Sequence, residues 1–198
     1  MKSPRSSMNH KGRGFTLIEL VAGVAASLII LLGVLHILSL TRVALNSGGD
    51  RAEAVQNARI ALERITRDLR QAEELVTNLP DTADDPLLPP PTEIEFHDGH
   101  DPETLTYLRY HLIDGLLYRE ESYYAFPSAP ELRVVYNVRD EDGNAPVKTV
   151  VQDLAVAEGV SVLSFWGDEN IHINLEVRRG EARVISNTSI FGRNFTGA

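Results

Sequence analysis

The 198-residue sequence has no cysteine. No disulfide ties the fold together, and thiolate metal sites and thiol chemistry are excluded. Active-site signatures are missing as well: G-x-S-x-G, a phosphate loop, a dinucleotide-binding glycine pattern and H-E-x-x-H do not occur. No nucleophile, general base or oxyanion donor is therefore assigned. The chain is read as non-enzymatic, with no cofactor and no metal. Basic side chains are the minority, 19 against 28 acidic, for a net charge of −9. No acid precedes Glu19, whereas Lys2, Arg5, Lys11 and Arg13 all do. With the first 14 residues set aside, 15 basic side chains face 28 acidic ones, a balance of −13. An acidic body excludes general binding to a phosphate backbone, so no nucleic-acid partner is expected.

Charge is absent again from Leu20 to Thr41 if His36 is neutral. Phe15 to Leu40 makes 26 largely apolar residues. As a helix they span about 39 Å, enough to cross a hydrocarbon core of about 30 Å. The basic residues ahead of this run favour keeping the N-terminus on the cytoplasmic side. A cleaved secretory signal places its small residue after the apolar region. Here the small residue, Gly14, stands before it. One carboxylate, Glu19, sits at the fifth position counted from Phe15. A lone carboxylate in hydrocarbon is costly, and a cation brought to it offsets the desolvation.

Gly14-Phe15-Thr16-Leu17-Ile18-Glu19 and the apolar helix after it resemble the class III signal of type IV pilins and type II secretion pseudopilins. The resemblance implies cleavage after Gly14 by a prepilin peptidase and methylation of the new N-terminus at Phe15. It also implies that Glu19 pairs with the N-terminal amine of a neighbouring subunit, Phe15 in this numbering, and so sets the register of assembly. Many filament subunits carry proline at the twenty-second mature position; here it is His36. That departure counts against a major pilin and is easier to reconcile with a minor subunit. His36 itself is read as a histidine near the membrane interface.

Beyond Leu40, Asn46-Ser47-Gly48-Gly49 is expected to interrupt the helix, with Asp50 capping its restart. Val55, Ala58, Leu62, Ile65, Leu69, Ala72 and Val76 then recur at spacings of three and four, the mark of one apolar helix face. Glu63–Arg67 and Arg64–Asp68 are i,i+4 pairs on its polar sides. Residues 78–91 hold five prolines between a helix-like and a strand-like region and are read as a loop. Strands follow: "TEIEF", "TLTYLRYHLI", "LLYREES", "ELRVVYNV", "PVKTVVQDLA", "GVSVLSFWG", "IHINLEVRR" and "EARVISNTSIF". Asp114-Gly115 marks one hairpin and Gly180 another tight turn.

The expected fold is α+β and pilin-like. A long N-terminal helix, membrane-spanning in its first half and amphipathic in its second, packs on an antiparallel sheet of one bent or two layers. The divisions are a leader at 1–14, a hydrophobic helix at 15–41, an amphipathic helix at 42–79 and a β-rich head at 80–198. The later segments resemble the larger minor subunits, the J-type pseudopilins and W-type minor pilins. The resemblance implies other pilin or pseudopilin subunits, prepilin peptidase and the inner-membrane assembly machinery as partners. It places the chain as a single-pass protein of the bacterial inner membrane with its head in the periplasm. Type IV pilins often close a C-terminal loop with a disulfide, and its lack leans towards a pseudopilin. A minor subunit of a type IV pilus, and a membrane-anchored binding protein or enzyme, are the alternatives.

Four other constellations bear on chemistry. His97-Asp98-Gly99-His100-Asp101 carries metal-ligating residue types but reads as a connection between strands. Asp140, Asp142 and Asn144 begin like a calcium loop, yet Ala145 and Val151 stand where an EF-hand needs glycine and glutamate. A polar hairpin turn is expected there. Trp166 beside Phe165 is read as core, with a partner-binding aromatic as the alternative. Tyr118, Tyr123, Tyr124 and Phe126 are read as a binding patch or as sheet packing.

Overall fold

The computed structural model describes residues 16–100 and 104–191. Helix α1 spans Leu17–Leu69, and the chain divides into two units between Asn46 and Ser47. Gly48 and Gly49 lie inside α1, so the expected interruption is absent and Asp50 does not cap a second helix. Two glycines cost about 2 kcal/mol in helix propensity. Propagation through strong helix formers on either side opposes that cost.

In the first unit, every residue from Leu17 to Arg42 is exposed. This 26-residue stretch is long and apolar enough to cross a membrane. Two of its hydroxyls bond within the helix, Ser27 Oγ to the Gly23 carbonyl at 2.8 Å and Thr41 Oγ1 to the Ile37 carbonyl at 2.9 Å. Such internal satisfaction is what a helix in lipid requires.

The second unit is α+β, with one helix segment against two antiparallel sheets. The buried stripe on α1 is Ala54, Ala58, Ala61, Ile65 and Leu69. The expected stripe was displaced by one residue in its first half: Val55 is 48% exposed, while Ala54 is fully buried. The sheet takes the alanines because their short side chains let the backbones approach closely. Helix α1 ends at Leu69, well before residue 79. The next residues line a sheet edge instead, with Glu73 N donating to the His97 carbonyl and Val76 N to the Glu95 carbonyl.

The first sheet contains β1 (Glu74–Leu75), β2 (Ile94–His97), β3 (Tyr107–Ile113), β4 (Leu116–Phe126), β5 (Ala129–Val134) and β6 (Val147–Glu158). It runs β1-β2-β3-β4-β5, and β6 also pairs with β4. β3 and β5 share one edge of β4, and β6 takes the other. Asp114 and Gly115 form the β3–β4 turn with φ of 50° and 78°, the left-handed pair that suits a two-residue hairpin. The second sheet is β7 (Val160–Trp166), β8 (Asn170–Arg179) and β9 (Ala182–Phe191), in that order.

Only Gly159 stands between β6 in one sheet and β7 in the other. Its φ is 71°, and a Cβ there would collide with the Arg178 carbonyl. Glycine is therefore required at the corner. One core joins the three layers: Ala58 and Ile65 from α1, Phe96 and Tyr110 from the first sheet, Phe165 and Ile173 from the second.

Candidate functional site

Gly14 and Phe15 lie outside the described residues. Glu19 lies in the first turn of α1. Its Oε2 accepts from Thr16 N at 3.0 Å and from Thr16 Oγ1 at 3.0 Å, and Glu19 N donates to Thr16 Oγ1 at 3.3 Å. This is a capping box, in which Thr16 and Glu19 satisfy each other's free donors. The pattern T-x-x-E stood in the sequence and carries a second role for Glu19 that the reading of its charge alone had missed. No ion pair to Glu19 occurs among the described residues. Its charge is thus met by hydrogen bonds and by the helix N-terminus, but by no described cation. Glu19, Gly23 and Ser27 follow at spacings of four and line one groove with Leu20, Val24 and Leu28. Small residues at this spacing let a second helix approach closely in a membrane.

The head holds its own carboxylates differently. Asp68 Oδ2 accepts from Tyr110 Oη at 2.7 Å and from Arg119 Nε at 2.8 Å, tying α1 to β3 and β4. Burial and then the charge of Asp68 push the Tyr110 hydroxyl well above its usual range. Glu176 on β8 accepts from Arg183, from Arg178 Nε at 2.6 Å and from Ser161 Oγ at 2.9 Å. The hydrogen bonds from Arg183 and then Arg178 hold its carboxyl down to about 2.

On the face of the first sheet away from α1, ligand atoms of His111, Glu120 and Asp153 lie within 4.8 Å of one another. They come from β3, β4 and β6. Glu120 is already compensated by cations, with Lys148 Nζ at 2.6 Å and Arg109 Nη1 at 3.5 Å. His111 Nε2 stands 3.8 Å from Asp153 Oδ2, and its ring stacks on Tyr118. The arrangement balances charge across three strands. Alternation placed these residues on one face, but which strands adjoin was not legible beforehand.

The remaining sequence candidates separate. His97 Nδ1 pairs with Glu73 Oε2 at 3.2 Å, whereas His100 Nδ1 bonds Gln71 Oε1 at 2.8 Å. The two histidines have different partners and do not converge; Asp101 lies outside the described residues. Burial, first of all, raises the carboxyl of Asp98 above its usual range. Asp140 Oδ1 accepts from the backbone N–H groups of Asp142 and Asn144, and its Oδ2 accepts from Asn144 Nδ2. Its oxygens serve the polar turn that contains Gly143, but this turn is not the expected hairpin: it lies in the connection between β5 and β6, which both pair with β4 and not with each other. Those hydrogen bonds, the Asn144 side chain's foremost, lower its carboxyl.

Phe165 is fully buried, but Trp166 is only half-buried and stacks on His172 at 5.5 Å, which corrects its assignment to the core. Tyr124 meets Tyr107 edge to face at 4.9 Å, and Tyr123 lies 4.7 Å beneath the Arg133 guanidinium. These tyrosines pack the sheet. His36 is exposed on α1.

No family model matches the chain, and no curated protein matches it.

Proposed function

We propose that the chain is a minor pilin-like subunit of a type II secretion pseudopilus. It is made as an inner-membrane precursor, cut after Gly14 and methylated at Phe15. It then joins a short periplasmic filament or its tip. Its role is assembly rather than catalysis: apolar helices bundle in the filament while the β-rich heads lie outside.

The observation that carries this reading is the carboxylate of Glu19 at the start of an apolar helix, without a cation partner among the described residues. A neighbouring subunit's Phe15 amine supplies the missing positive charge. The groove through Gly23 and Ser27 beside it supports close helix contact. Desolvating an acid is tolerable when such a partner arrives. Absence of cysteine favours a pseudopilus over a surface pilus closed by a disulfide.

Processing gives a direct test. Gly14→Leu is expected to leave the precursor uncut in membrane fractions, seen as the full-length mass. In the unaltered protein the same measurement is expected to find Phe15 as the methylated N-terminus. An N-terminus at any other residue contradicts the proposal.

A further inference from the structure

The geometry points to the outer edge of β6 as a docking edge for an extended strand of a different polypeptide. β6 is twelve residues long and, among the described strands, pairs only with β4. Nine of its twelve residues are exposed. Val147, Val150, Val151 and Leu154 are 55%, 50%, 57% and 47% exposed. A strand edge presents a row of N–H and C=O groups that another extended chain satisfies, and apolar side chains beside it add burial.

The other edge strands of the described sheets are shorter, covered or more polar, and β5 has six residues. β1 has two residues. The edge of β7 gives N–H groups of Phe165 and the adjoining Gly167 to the carbonyls of Pro91 and Pro80. β9 alternates exposure along its length and carries Asn187, Thr188 and Ser189 in succession. β6 has two bulges, which leave Val151 and Val156 without partners on β4. Bulges twist an edge, but the runs Val147–Val150 and Gln152–Ala155 remain regular. Lysine is a usual guard of an open edge. The lysine of β6, Lys148, is instead drawn to Glu95 at 3.0 Å and Glu120 at 2.6 Å.

Charge selects the occupant. Residues 47–198 contain 14 basic and 27 acidic side chains, a balance of −13. A second copy of this head brings the same excess and is repelled. Within the exposed run the formally charged side chain is Asp153, which is 38% exposed and has as its ion-pair neighbour the histidine His111, 3.8 Å away, rather than a lysine or arginine. The fitting partner is therefore an extended segment with apolar residues and a basic residue placed against Asp153. This inference does not depend on the assembly reading.

The test uses the full chain in detergent micelles. The probe is a fluorescein-labelled synthetic decapeptide of alternating valine and threonine with one central lysine. A second peptide has the same side chains and N-methyl groups on every backbone amide. Saturable binding of the first is expected, about tenfold or more tighter than that of the second. Val151→Lys should weaken binding about tenfold. Asp153→Lys should reverse the preference towards a peptide with central glutamate. Circular dichroism checks that both variants fold, and the comparison of the two peptides on the unaltered chain needs no variant. Equal binding of the N-methylated peptide overturns the inference, as does no saturable binding of the lysine peptide. Self-association through β6, seen by sedimentation and abolished by Val151→Lys, assigns the edge to a second copy and also overturns it.

Discussion

Helix α1 carries two carboxylates in opposite circumstances. Asp68, in the head, is buried and finds Arg119 and Tyr110 within its own chain. Glu19, in the apolar segment, is exposed and, among the described residues, finds only the donors of Thr16. The head closes its electrostatics internally, as a self-sufficient fold must. The apolar segment leaves a charge and an entire greasy surface to be covered from outside. On the proposed reading, one helix serves two solvents, and Glu19 stands where another subunit is needed.

The sharpest way to break the comparison is to open the internal pair. Asp68→Ala leaves the Tyr110 hydroxyl without its acceptor and the Arg119 guanidinium with the more exposed Glu121, 3.6 Å away. A loss of about 3–5 kcal/mol in head stability is expected, measured by urea unfolding followed through tyrosine and tryptophan fluorescence. Glu19→Ala should leave that same unfolding curve unchanged. A smaller loss, about 2 kcal/mol, is expected for Gly159→Ala, where a left-handed backbone meets the Arg178 carbonyl. Thermal unfolding of the two variants ranks them.

The smallest effect is a pH dependence. The carboxyl of Glu176 is held at about 2 against an ordinary value of 4.5. Because the folded value is the lower one, its contribution is complete above about 4.5 and is lost as pH falls towards 2. Glu176→Gln should be less stable than the unaltered protein at neutral pH, and the difference should shrink through that acid window. A difference that stays constant on acidification contradicts the role assigned to Arg183 and Arg178.

The same contrast governs what was legible in the sequence. The apolar run from Leu20, the Asp114-Gly115 hairpin and the strand segments were readable because each is a local pattern. The buried helix stripe was legible at Ala58, Ile65 and Leu69 but not at Ala54 and Ala61. Val55 and Leu62 are larger than Ala54 and Ala61, and apolar spacing alone ranks them higher. Only the sheet's need for close approach selects the alanines. The end of α1 was missed for a related reason, since Glu73 and Val76 are taken by β2, a partner about twenty residues away. His111, Glu120 and Asp153 came together through strand order, which no local pattern encodes. At Glu19 the residue itself was legible, but its bond to Thr16 was overlooked although T-x-x-E spells it out.

That bond fixes the most direct experiment. Glu19→Ala removes both charge and cap, so it confounds the two roles. Glu19→Gln keeps an acceptor for Thr16 in a capping box and removes only the charge. The measurement is site-specific crosslinking between subunits in intact cells, with insertion and N-terminal processing followed in parallel. If Glu19 awaits the amine of a neighbour, Glu19→Gln inserts and is processed normally but crosslinks as poorly as Glu19→Ala. If Glu19→Gln crosslinks as well as the unaltered protein, the charge has no part in assembly and Glu19 is a helix cap alone.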